Sequence, residues 1–223
     1  MGADPAAPAV GAAVHVSKPI RIPLFPLAGA ILFPRTQLPL HIFEERYREM
    51  VRDVMGGRAQ IGMIQPNEPG DHPSLYRVGC VGELVGLEEL EDGRFNIVLQ
   101  GSDRFRLIAE TDSATSYRQA DIDVTAFDDS EPPPLPLAVR SDVEREARRF
   151  GDALGLTVDW EAVGRLDDEM LVNAIAQVAP FDTGAKQALL EEPTLAGRAD
   201  LVVQLMQFQR MALGGGEPRP TLQ

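Results

Sequence analysis

Only one cysteine, Cys80, and two lysines, Lys18 and Lys186, occur among the 223 residues. A single cysteine excludes an intramolecular disulfide framework and sets the expectation of a reducing, cytoplasmic setting. No apolar run approaches the ~18 residues that span a bilayer, so no membrane partner is expected. Residues 1–18 are small and polar, with no basic stretch before an apolar core, and read as a disordered tail rather than a signal peptide. Positive charge is short as well: 21 basic against 34 acidic side chains leave a formal charge of −13. That field repels phosphate backbones, so no nucleic-acid partner is expected, though a local basic patch stays open.

What is present begins with proline. The run from Ile22 to Val51 sets Pro23, Pro26, Pro34 and Pro39 among short apolar bursts. Each proline removes a ladder donor and fixes φ, so each belongs at a strand start, a strand edge or a turn. Short, strongly bent strands follow from that spacing. Phe43, Tyr47, Met50 and Val54 then recur at 4, 3 and 4 and predict a helix with one apolar face, stopped by Gly56-Gly57.

Beyond it, Ala59–Ile64 reads as a buried strand, Asn67–Ser74 as a surface loop, and Tyr76–Leu90 as a long strand bent at Gly79, Gly82 and Gly86. Asp92-Gly93 predicts a hairpin into Phe95–Leu99, and Gly101-Ser102-Asp103 a further turn into Arg104–Ile108. Ala120, Ile122 and Val124 alternate with polar neighbours in a last half-buried strand.

The acidic, proline-rich segment 128–140 predicts a stiff linker. After it the period becomes helical. Ser141 and Glu144 form a capping box for a helix running to about Leu154. Asp167, Asp168 and Glu169 open a helix over Leu171–Val178, and Ala185–Glu191 forms another. Thr194 caps a final helix with two apolar stripes, Leu195-Ala199-Val202-Met206 and Leu201-Leu205-Phe208-Ala212. The expected organisation is a tail (1–18), a β-rich unit (19–127), the linker (128–140), a helical unit (141–213) and a tail (214–223), an α+β class overall.

Catalytic chemistry is thinly supported. No phosphate-cradling G-x-x-x-x-G-K-[ST] occurs. A Ser–Lys dyad is not expected, with Lys18 in the tail and Lys186 on a short surface helix. His41 and Glu44 have an H-x-x-E spacing, but two ligands are not a metal site, and Glu44 and Glu45 equally suit a helix N-terminus. Cys80 in an apolar strand reads as a small buried hydrophobe. Arg104 and Arg106 flank Phe105, which reads as a core aromatic between outward arginines or as a stacking platform for bases. Phe33, Leu38, Leu40 and Phe43 lie at strand ends and turns, where they either belong to the core or form an exposed apolar patch suited to polypeptide. No catalytic, metal or cofactor site is assigned.

The series L-F-P-L, L-F-P and L-P-L-H-I-F-E-E-R-Y-R-E-M resembles the N-terminal domain of the Lon protease family. Later segments resemble it in order: Leu75–Leu84, the hairpin Asp92–Leu107 with its G-x-x-R-F turn, Met170–Gln177 and Lys186–Leu195. The positions matching the motif are Pro26, Pro34, Pro39, Tyr47, Gly79, Gly93, Gly101 and Arg104. The resemblance implies a bent β-barrel similar to pseudouridine-synthase-associated (PUA) RNA-binding domains, carrying one helix and followed by an α-helical bundle. It implies a non-catalytic, stand-alone substrate-recognition role toward unfolded or misfolded polypeptides, in protein quality control alongside a cellular protease, without ATPase or peptidase modules. An RNA-binding module of the same barrel type is the alternative, followed by a small-molecule or metal enzyme using His41, Glu44 and Cys80.

Overall fold

The computed structural model describes residues 19–214; the expected tails, with His15 and Lys18, lie outside the described residues except for Gly214, which ends the last helix. The order is β1 (Ile20–Pro26), β2 (Gln37–Ile42), α1 (Glu45–Met55), β3 (Gln60–Ile64), β4 (Val78–Glu89), β5 (Phe95–Thr111), β6 (Gln119–Asp123), α2 (Leu137–Ala153), α3 (Trp160–Gly164), α4 (Asp168–Val178), α5 (Thr183–Glu191) and α6 (Leu195–Gly214). The fold is mixed α+β. The strands lie in the order β2-β5-β4-β3-β1-β6, and β5 also pairs with β6, so the pairings make a closed circuit with β2 outside it. The β1–β3 pair is parallel and the others are antiparallel.

Glycine permits the tight circuit by letting backbone approach side chain. A Cβ on Gly79 would overlap the Phe105 ring and the Met63 carbonyl, and one on Gly101 would overlap the Phe33 carbonyl. The expected turn at Gly101–Asp103 is therefore corrected: β5 runs 17 residues without a break, and Gly101 serves close packing instead of reversal. The Phe33 loop rests on it, with Arg35 N–H donating to Gly101 O at 2.8 Å and Gly101 N–H to Thr36 O at 2.9 Å. Strand β4 shifts register between Cys80 and Gly82 and between Leu84 and Gly86. The hairpin turns at Gly93, in the left-handed region at φ 77°, where Arg48 Nε donates to the Gly93 carbonyl at 2.7 Å.

Helix α1 buries Tyr47, Met50, Val51 and Val54. Tyr47 packs on Phe25 with ring centroids 4.3 Å apart. Phe43 is not on that face, contrary to the spacing argument. Glu44 is the N-cap, so Phe43 precedes the helix and points to solvent.

The helical half departs from expectation at its start. Helix α2 begins at Leu137 behind Pro136, so Ser141 lies inside it and no side chain caps it. A proline N-cap with preset φ replaces the predicted capping box. The segment before it is docked: Leu135 is buried and its N–H donates to Asp168 Oδ2 at 2.7 Å. The short α3 was absent from the sequence reading. Thr194 does cap α6, accepting from Gly197 N–H at 3.0 Å. Only one of the two α6 stripes is buried, Leu195-Ala199-Val202-Met206, while Phe208 on the other is exposed. One apolar cluster runs from Phe25 through α1 and into α2, α4, α5 and α6, and a second fills the circuit around Leu24, Phe105 and Ile122.

Candidate functional site

The sheet meets the helices along a polar seam, and Arg104 is its centre. Its side chain is 2% exposed, paired at 2.8 Å with the Asp129 carboxylate, itself 6% exposed. The guanidinium also donates to the carbonyls of Leu190 (3.0 Å) and Glu192 (2.7 Å), and stacks on Phe127 at 4.5 Å. The reading that both arginines point outward is thus corrected: Arg106 is exposed and Arg104 is sealed inside. With Phe105 also in the core, this segment offers no exposed aromatic flanked by arginines on which a base could stack.

Buried amides and hydroxyls line the rest of the seam. Gln65 Nε2 donates to Gln187 Oε1 at 3.0 Å, and Gln187 Nε2 donates to Val78 O at 3.0 Å. Asn173 Nδ2 donates to Pro34 O at 3.2 Å, and Thr36 Oγ1 to Gln177 Oε1 at 2.7 Å. Arg35 pairs with Glu169. Arg198 donates to Asn173 Oδ1 at 2.7 Å, and burial beside Arg104 lowers its pKa to about 10. Lys186 is not the surface residue its helix suggested. It is buried, donates to Gly29 O (3.2 Å) and Gln177 O (2.8 Å), and desolvation lowers its pKa. No serine accepts from it, so the Ser–Lys chemistry finds no geometry among the described residues.

The other catalytic candidates are likewise occupied. Cys80 is fully buried, and desolvation pushes its thiol pKa well up, away from a nucleophilic thiolate. His41 faces Asn96 Oδ1 at 2.8 Å, and Glu44 pairs with Arg46 at 2.8 Å. No group of three or more His, Cys, Asp or Glu side chains suited to a metal occurs among the described residues.

The apolar candidates separate. Phe33 has no exposed surface and is held in the core, with the Arg198 guanidinium 5.5 Å from its ring. It is therefore no contact residue. Leu38 and Leu40 are half-buried on β2, leaning on the main core. Phe43 is 62% exposed immediately past the strand, stacked near His41 at 6.2 Å.

Phe43 stands just past the end of β2, whose Leu38 and Leu40 lie opposite the buried Leu99 and Ile97 on its covered side, while Pro39 and His41 take the exposed side. β2 ends the strand order and carries no second neighbour among the described strands, and Pro39, which lacks a ladder donor, sits within it. Beside it lies a shallow cavity of about 500 Å³ lined by Pro39, Leu40, His41, Leu87, Asn96 and Val98. Gly86 keeps its floor open opposite Val98. Exposed Val85 and Leu87 extend the apolar surface, and Glu88 and Glu89 rim it with negative charge. A partly unpaired strand edge next to exposed apolar side chains suits an extended chain: main-chain groups supply affinity and alternate side chains find pockets. Leu87 and Val85 were missed from sequence, since alternation does not say which face of a bent strand is covered.

The family model for the ATP-dependent protease La (LON) substrate-binding domain matches residues 21–207. Lon protease 2 of Sorangium cellulosum is 29% identical over 208 residues, covering 84% of this chain and 24% of that protein. Lon protease of Anaeromyxobacter dehalogenans is 27% identical over 218 residues, covering 93% and 26% respectively. The chain thus spans about a quarter of the length of these relatives. Among solved structures, a Lon N-terminal domain protein from Xanthomonas campestris superposes with a TM-score of 0.64 at 18% identity, covering 83% of this chain and 98% of that one. The N-terminal domain of a Mycobacterium avium complex Lon protease gives 0.62 at 13%, covering 84% and 98%. At such identities these two speak for the fold alone.

Proposed function

We propose, for a chain that belongs to the Lon protease substrate-binding domain family, that it binds unfolded or misfolded polypeptide without catalysing a reaction on it. The contact is the β2–β5–β4 edge, with the exposed Phe43 and Leu87 meeting the client and the half-buried Leu38 and Leu40 supporting the strand from the core side. The observation that carries this reading is Phe43, an exposed aromatic just past the end of β2, whose outer edge has no partner among the described strands, within the stretch the family model matches. Burying such a side chain against a client contributes about 1.5–3 kcal/mol. The acidic rim favours segments that mix apolar and basic residues.

On the same reading the protein acts in cytoplasmic quality control and presents captured segments to a cellular protease. The buried thiol, the occupied His41 and the Lys186 ammonium held by the Gly29 and Gln177 carbonyls support a binding role over an enzymatic one. Calorimetric titration with one client protein in folded and permanently unfolded forms tests this. Saturable binding to the unfolded form alone is expected, and equal binding to both forms, or to neither, overturns it.

A further inference from the structure

The helical half contains an apolar cavity that no part of the seam or the β2 face uses. It has a volume of about 170 Å³ and lies between α2, α3, α4 and α6, walled by Phe150, Leu154, Trp160, Ile175 and Met206. Its lining carries almost no polar surface. The Phe150 ring packs against Phe181 at 6.1 Å on one side, and Arg148 covers Trp160 from another at 4.7 Å. At the borders, Leu156 is 56% and Val178 78% exposed.

We propose that this cavity takes one aromatic side chain of a bound polypeptide, as a second contact that deepens, and rests on, the polypeptide-binding reading. Three observations select that occupant. A dry cavity of about 150 Å³ lined by Leu, Ile and Phe accommodates a benzene-sized group, so 170 Å³ admits one ring and little more. Phe150 and Trp160 in the wall offer the edge-to-face and offset contacts that an aromatic ring prefers over an aliphatic group. The exposed Leu156 and Val178 beside the mouth supply apolar surface for the atoms flanking the ring, which the cavity is too small to enclose.

Trp160 is the only tryptophan in the chain, so its fluorescence reports this cavity alone. The experiment titrates the full chain with a soluble glycine- and serine-rich peptide carrying one central phenylalanine, and with the same peptide carrying serine there. The phenylalanine peptide is expected to shift Trp160 emission and to bind at least about tenfold more tightly, as burial of one such side chain implies. Gly151→Leu plugs the space, because a Cβ at Gly151 points at Trp160 Cζ2 at 3.4 Å and Val158 Cγ2 at 3.9 Å without overlap. Gly151→Leu, or Ala174→Leu where the first variant melts early, is expected to abolish the shift with the melting temperature maintained.

Equal responses to the two peptides, or a well-folded plugged variant that binds as the parent does, overturns the proposal. So does a response to free toluene without one to the phenylalanine peptide. If unfolded clients still bind the parent chain in any of these cases, the cavity proposal alone has failed and the polypeptide-binding reading stands. If they do not bind, that reading has failed as well.

Discussion

At the seam, Arg104 is buried against Asp129 and hands its remaining protons to the carbonyls of Leu190 and Glu192. On the outer β2–β5–β4 face, Phe43 stands 62% exposed with the His41 ring 6.2 Å from its own. The first region is polar, covered and partnered, while the second is apolar and open. Both carry residues of the same motif series, so membership in the series does not by itself mark binding. Gly79, Gly101, Tyr47 and Arg104 build shape, and Phe43 is left over once the shape is built. Breaking the seam should therefore cost stability, and altering the face should cost affinity.

The largest effect is expected from Arg104→Ala. It leaves Asp129 as an uncompensated buried charge, at a cost of about 3–5 kcal/mol measured by denaturant unfolding. Replacing Asp129 as well should cost less than the two single losses added together, because both changes break one pair. Gly101→Ala comes next, at about 3 kcal/mol or more, since its Cβ falls on backbone that has no room to yield. Phe43→Ser should leave the unfolding midpoint within about 0.5 kcal/mol of the parent while weakening client binding about tenfold. A marked loss of stability there would erase the distinction between the two regions.

The smallest expected effect is on acid stability. Asp168 accepts from Arg140 at 2.6 Å and from Leu135 N–H, and these bonds, Arg140 foremost, hold its carboxyl below the usual carboxylate value. The folded pKa is depressed, so this stabilisation is complete above the ordinary carboxylate pKa of about 4 and is lost as pH falls through the lowered value. Asp168→Asn should flatten that part of the stability–pH curve and change nothing at neutral pH beyond a constant offset.

Much of the fold was legible because local chemistry and tertiary demand agree there. The Asp92-Gly93 hairpin needs φ > 0, α1 shows its period, and Thr194 caps α6. The misreadings share a cause: one residue type answers two demands. Glycine signals a turn or a close approach, and Gly101 is the latter. Arginine on an alternating strand signals solvent unless an element distant in sequence covers it, as the segments around Asp129 and Leu190 cover Arg104. Phe33 and Phe43 look alike in sequence, yet one lies beneath the Gly101 contact and the other just beyond a strand end. The Trp160 cavity left no periodic trace, because α3 spans five residues, too few to show a pattern.

The central claim is that Phe43 on the open strand edge contacts unfolded polypeptide. The most direct test is the calorimetric affinity of the parent chain and of Phe43→Ser for the same permanently unfolded client, with both proteins shown to melt together. The account predicts an affinity about tenfold weaker for Phe43→Ser. Equal affinities at equal stability would contradict it.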